Sequence, residues 1–189
     1  MKTLKLLFSF VLVIFMTNLA VAQHSLAGKT YLVESNAEGA QKRLLDIDGY
    51  TMGKNGSKVH LWENCCGNQN QKWAFIPVPG QANVYKIKSM TTNTRKVGKY
   101  EFLDAHFADL SKEGGFVQMW ENNGGTANQH WKITKNPNGS YRIASAHPKA
   151  NGASLDADAV TQGKNGGKVH MIKAIDNYGQ QEWNLVTTK

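Results

Sequence analysis

The strongest constraint on this chain is a block of fixed internal spacing that occurs three times and ends each time in Gln-x-Trp. Asp46, Asp104 and Asp156 open the blocks. His60, Gln118 and His170 follow fourteen residues later, with Trp62, Trp120 and Ile172 two further on. The register then runs through Asn70-Gln71, Asn128-Gln129 and Gln180-Gln181 to Trp73, Trp131 and Trp183 without insertion or deletion. Such recurrence implies three copies of one supersecondary unit, each too short to bury its own apolar face and therefore closed against the others.

A second repeated element precedes each block: Tyr31-Leu32-Val33-Glu34-Ser35, Tyr85-Lys86-Ile87-Lys88-Ser89 and Tyr141-Arg142-Ile143-Ala144-Ser145. Alternation of period two with Tyr, Ile and Val is a strand pattern. Within the first copy the pattern predicts strands around Tyr31 to Ser35, Leu44 to Ile47, Lys58 to Leu61 and Lys72 to Ile76, with equivalents in the other two. Turn chemistry at Pro77-Val78-Pro79-Gly80 and Asn136-Pro137-Asn138-Gly139 separates the copies, giving repeats of about 27–80, 81–138 and 139–189. Twelve short strands in three sets predict an all-β chain. The arrangement that leaves no long open edge is a β-trefoil, three pseudo-threefold repeats of four strands forming a six-stranded barrel capped by three hairpins.

The first residues, Met1-Lys2-Thr3-Leu4-Lys5, lead into an apolar run from Leu6 to Met16 and the small-x-small sequence Ala20-Val21-Ala22. This reads as a signal peptide over residues 1–22, since a membrane span needs about twenty apolar residues. The expected product is one domain, 23–189, that is secreted or otherwise extracytoplasmic, in a periplasm or at a cell surface. No later segment is apolar enough for membrane insertion. The two cysteines, Cys65 and Cys66, are neighbours, so neither has a distant partner within the chain. A local loop feature, a disulfide between two chains and a partial metal site all remain open for them. The formal net charge of +8 includes Lys2 and Lys5 of the leader. The remaining lysines suit either a solvated surface or attraction to anionic cell surfaces. They are scattered rather than interleaved with aromatics in a groove, which argues against nucleic acid.

The triplets Gln71-Lys72-Trp73, Gln129-His130-Trp131 and Gln181-Glu182-Trp183, each in register with an upstream aspartate and aromatic, resemble the ricin B-chain-like (R-type) β-trefoil lectins, the family 13 carbohydrate-binding modules. The resemblance covers nearly all of the chain after the leader. It implies a shallow sugar pocket in each repeat, binding galactose-type or xylan-like glycans without catalysis. Carried over, Asp46, His60, Trp62, Asn70 and Gln71 form the first pocket, with His60 where the family most often has Gln. Asp104, Gln118, Trp120, Asn128 and Gln129 form the second and fit the family pattern without departure. The third keeps Asp156, His170 and Gln181, but Ile172 replaces the stacking aromatic and Gln180 the asparagine, so it is expected to be weak. The family's intra-repeat disulfide is absent: no cysteine stands near Leu44 or Leu103.

The chemistry suits a saccharide independently of the name. A carboxylate takes two hydroxyl donors, amides both give and accept, and an indole face covers the C–H side of the ring. The same residues also admit plainer roles, the tryptophans of Gln-x-Trp as core, their glutamines satisfying backbone groups, and the aspartates ending strands. Gly53-Lys54-Asn55-Gly56-Ser57-Lys58 and Gly163-Lys164-Asn165-Gly166-Gly167-Lys168 read as hairpin turns rather than phosphate loops. Asp46-Ile47-Asp48-Gly49 lacks the distal glutamate of a calcium loop. His24, His106, His130 and His147 show no partner pattern and read as surface residues. No cofactor, metal or active site is expected, and threefold placement of the carboxylates argues for binding rather than catalysis. The alternative reading is a β-trefoil hydrolase inhibitor or protein-interaction module acting through hairpin loops such as Lys54 to Lys58. A separately encoded toxin or hydrolase is a further candidate partner.

Overall fold

In β1 (Thr30–Ser35) Tyr31, Val33 and Ser35 are buried while the residues between them are less so, as period-two alternation requires. The computed structural model describes residues 25–65, 67–91, 101–124 and 126–188. The leader, Gln23, His24 and Cys66 lie outside them. The other strands are β2 (Leu44–Ile47), β3 (Ser57–Trp62), β4 (Lys72–Pro77), β5 (Val84–Ser89), β6 (Glu101–Ala105), β7 (Gly115–Glu121), β8 (Trp131–Lys135), β9 (Tyr141–Ser145), β10 (Ser154–Ala157), β11 (Gly167–Ile172) and β12 (Trp183–Thr187). They match the four strands expected of each repeat.

Six of these strands form a closed ring of antiparallel pairs: β1 with β4, β4 with β5, β5 with β8, β8 with β9, β9 with β12, and β12 back to β1. Closure satisfies the backbone groups that an open sheet would leave at its edges. The remaining six form three hairpins, β2–β3, β6–β7 and β10–β11. Their second strands pair with one another, β3 with β7, β7 with β11 and β11 with β3. A six-stranded barrel capped by three mutually paired hairpins is the β-trefoil.

The core is built from triplets, one residue per repeat. Trp73, Trp131 and Trp183 are fully buried, as are Leu45, Leu103 and Leu155 and, in the hairpins, Leu61, Met119 and Met171. Each indole N–H donates to the leucine carbonyl of its own repeat, Trp73 to Leu45 at 3.0 Å, Trp131 to Leu103 at 2.8 Å and Trp183 to Leu155 at 3.1 Å. Tryptophan fits here because it combines a large apolar area with one donor that must be satisfied when buried. At the tip of each hairpin Gly56, Gly114 and Gly166 occupy the same repeat position, with φ of 83°, 75° and 82°. The chain turns there through left-handed backbone that favours glycine.

Candidate functional site

The β2–β3 register sets Asp46 opposite His60, so their side chains project from the same face. Asp46 Oδ1 lies 3.0 Å from His60 Nε2, and both residues are buried. Trp62, two residues beyond His60 and hence on the same face, stacks on the imidazole at 5.2 Å between ring centroids and 30° between planes. A 3-10 turn, Gln69–Gln71, closes the far side: Asn68 Oδ1 accepts from Asn70 N, and Asn70 Nδ2 donates to the Ile47 carbonyl at 3.1 Å. Asp46, His60, Trp62 and Asn70 thus line one open cleft of about 430 Å³.

Seven further lining residues, Asp48, Tyr50, Lys58 and Asn68 among them, were not among those expected. Asp48 Oδ1 accepts from Tyr50 N at 2.7 Å, a turn that leaves the Tyr50 side chain almost fully exposed at the rim. The corresponding positions in the other repeats are Ala108 and Val160, so an aromatic appearing in only one copy was the available signal.

Gln71 does not complete the polar ring as expected. It is fully buried, donating Nε2 to the Glu63 carbonyl at 2.8 Å and accepting from Cys65 N at 3.1 Å. Gln129 and Gln181 are equally buried and make the same bond to the Glu121 and Lys173 carbonyls, each at 2.9 Å. The physical reason is local: Gln71 ends the 3-10 turn directly before β4, and its amide there satisfies backbone groups of the preceding loop. These glutamines tie down the loop beneath the cleft.

The second repeat reproduces the arrangement with an amide for the imidazole. Gln118 Nε2 donates to Asp104 Oδ1 at 3.2 Å, and Asn128 Nδ2 donates to the Ala105 carbonyl at 3.2 Å. Trp120 is half-buried beside them. Burial raises the Asp104 pKa above the ordinary aspartate value, partly offset by the amides of Gln118 and Gln129 and the nearby His106.

In the third repeat Asp156 Oδ1 again lies 3.0 Å from a histidine, His170 Nε2. Ile172 presents no ring face, however, and Asp156 Oδ2 and His170 Nδ1 are buried without a hydrogen-bond partner among the described residues.

A family model for the ricin-type β-trefoil lectin domain-like family matches residues 69–172, more than half of the chain. The chain belongs to that family. Among solved structures it is similar to a designed threefold-symmetric protein, ThreeFoil, with 20% identity and a TM-score of 0.67 over 83% of this chain and 97% of the other. It is similar also to the agglutinin of Rhizoctonia solani, with 17% identity and a TM-score of 0.61 over 87% and 98%. A third is an exo-β-1,3-galactanase from Clostridium thermocellum, with 22% identity and a TM-score of 0.63; 85% of this chain aligns, but with only 30% of the galactanase. At these identities the structures share the fold. No curated protein sequence matches significantly.

The ricin-type trefoil uses its hairpin tips internally. Asn55 Oδ1 accepts from Glu121 N at 2.7 Å, Asn165 Oδ1 from Glu63 N at 2.9 Å, and Glu113 Oε2 from Lys173 N at 3.4 Å. These three residues share one repeat position, and each reaches the next repeat in the cycle. Of the histidines read as surface residues, His130 is in fact buried: it ends the β7–β8 loop directly before the buried Trp131 and lines a cleft with Pro77, Val78 and Pro79 of the β4–β5 turn. Among the described residues no group of three or more His, Cys, Asp or Glu is placed to hold a metal, and no helix is long and apolar enough to cross a membrane.

Proposed function

We propose that this chain is a secreted, non-catalytic lectin that binds galactose-type or xylan-like glycans. The observation that carries the reading is the first-repeat cleft, where a buried carboxylate, an imidazole, an asparagine and an indole face one opening. Asp46 accepts hydroxyl protons, Asn70 presents its amide, and Trp62 covers the apolar face of the sugar ring. The His60 ring behind the indole fixes its plane. The second repeat offers the same set through Asp104, Gln118, Trp120 and Asn128. One shallow site of this kind binds weakly, and two on one rigid body gain by avidity.

Each carboxylate is engaged with the histidine or glutamine of its own hairpin, which supports repeated binding over a shared catalytic pair. The inhibitor reading is less well supported, since Asn55 at the tip of the Lys54–Lys58 loop is already spent on Glu121 of the neighbouring repeat. A glycan array on residues 23–189, run beside Trp62→Ala and Trp120→Ala, tests the proposal. Selective binding that falls at least tenfold in one variant while its fold is retained supports it. Silence of the folded parent across the array, or parent-like binding by both variants, rules it out.

A further inference from the structure

A second cleft, of about 530 Å³, is lined by none of the Asp–Trp pocket residues and opens where the β4–β5 turn of the first repeat faces the β7–β8 loop of the second. Pro77, Val78 and Pro79 form an apolar wall, and Lys86, Asn122 and His130 supply the polar groups. Lys86 Nζ donates to Asn122 Oδ1 at 2.7 Å and sits 5.1 Å over the Phe102 ring. An ammonium carries three donors, so two of those on Lys86 have no hydrogen-bond acceptor among the described residues. His130 is 8% exposed and makes no side-chain hydrogen bond there either.

The equivalent place one repeat later shows what this cleft lacks. Strand register makes Arg142 the counterpart of Lys86, since Lys86 pairs with Ile76 and Arg142 with Thr134 at matching positions of their hairpins. There Arg142 Nη2 bonds Asp176 at 3.0 Å and the Ile175 carbonyl at 2.7 Å, with Glu182 close enough to feel its charge. By the repeat spacing, Gly124 stands where that site has Asp176, and His130 stands where it has Glu182. Both carboxylates that neutralise the later cation are therefore missing from the earlier one. Burial lowers the pKa of the partly buried Lys86, and burial together with Lys86 lowers that of the buried His130, so the two bases lie close enough to feel one another.

We propose that this cleft binds an oxyanion, the sulfate or carboxylate substituent of an acidic polysaccharide, between Lys86, His130 and the Asn122 amide. The incoming anion takes the place of the two missing carboxylates and accepts charge-assisted hydrogen bonds beside the proline-lined wall. The site uses none of the Asp–Trp pocket residues, although Phe102 beneath Lys86 pairs with Trp120 of the second pocket.

The test titrates residues 23–189 with inorganic sulfate at low salt, followed by amide and imidazole NMR, and compares a sulfated galactan with its neutral parent by calorimetry. Saturable shifts centred on His130 and at least tenfold tighter binding of the sulfated galactan are expected. Lys86→Met removes both, whereas Lys149→Met, in the separate basic cleft near Lys112 and Lys173, removes neither. Gly124→Asp provides a second variant that leaves both bases in place. A Cβ there meets open space, and aspartate is among the residues that tolerate positive φ. It restores the internal carboxylate and is expected to abolish the sulfate response. Parent-like sulfate binding by folded Lys86→Met and Gly124→Asp overturns the site. Sulfate binding without preference for the sulfated galactan overturns the polysaccharide assignment and leaves a site for free anions.

Discussion

The frame of each repeat and the rim of each pocket differ in how closely the three copies agree. Frame positions repeat atom for atom: three tryptophans donate to three leucine carbonyls, and three glutamines donate to the carbonyl eight residues earlier. Rim positions diverge, with His60, Gln118 and His170 at one and Trp62, Trp120 and Ile172 at another. The frame answers to closure of the barrel, which needs three equal units. A rim position takes no part in that closure, so three copies are free to differ there.

Breaking the frame is expected to have the largest effect. Trp131→Ala empties a fully buried site and strands the Leu103 carbonyl. A loss of about 3–5 kcal/mol is expected, comparable with the whole stability of a small domain. Urea unfolding measures it, and a loss below about 1 kcal/mol would show that the frame is not what holds the repeats together.

Glu182 is a frame residue of one repeat only. Burial works against its ionisation, but hydrogen bonds from Asn138, Asn36 and Ser140, with Arg142 nearby, outweigh that and hold its pKa below the ordinary glutamate value. Its Oε2 accepts from Asn36 at 3.0 Å and Asn138 at 2.8 Å, joining the first repeat to the third and to the β8–β9 turn. Glu182→Gln is expected to cost about 1.5–3 kcal/mol at neutral pH. Because the folded pKa is depressed, this stabilisation is present above the ordinary value of 4.5 and is lost as pH falls through the folded value. Parent and variant should therefore converge in acid, and a gap that persists there would assign the effect to packing.

The fold was legible because the spacing between aspartate and tryptophan is identical in all three copies, and a closed barrel with three caps accommodates twelve short strands without open edges. Of the two roles open to Gln71, the plainer one, an amide satisfying backbone groups beside a core tryptophan, is the one it takes, while the resemblance to sugar-binding pockets implied the other. Tyr50 was harder to find, having no counterpart in the other repeats. The cleft around Lys86 and His130 was out of reach. Those residues are 44 apart in sequence and meet only because Tyr85 pairs with Trp131 across β5 and β8.

The third rim offers a way to sharpen the contrast. If the frame there is sound and only the rim is degenerate, Ile172→Trp with Gln180→Asn should install a working pocket around the existing Asp156–His170 pair. Ile172 and Gln180 are both partly exposed, so little change in stability is expected. Binding to a multivalent glycan surface should tighten by about tenfold through avidity, read by surface plasmon resonance. No gain from the folded double variant would place the defect in the frame.

The smallest effect sets function against stability at a single carboxylate. Asp104 is nearly buried, and its raised pKa means that ionising it in the folded state is costlier than in the unfolded chain. The sign follows from linkage: the advantage of the protonated form is present below the ordinary value of 3.8 and is lost as pH rises through the folded pKa, so at neutral pH the charge is a net burden on folding. Asp104→Asn keeps an oxygen to accept from Gln118 Nε2 while removing that charge. It should melt slightly above the parent at neutral pH, with the gap closing toward acid, and at the same time weaken sugar binding at the second rim. A variant that melts higher yet binds less well would mark Asp104 as retained for its ligand and not for the barrel. A variant that melts lower at neutral pH would return the residue to the frame.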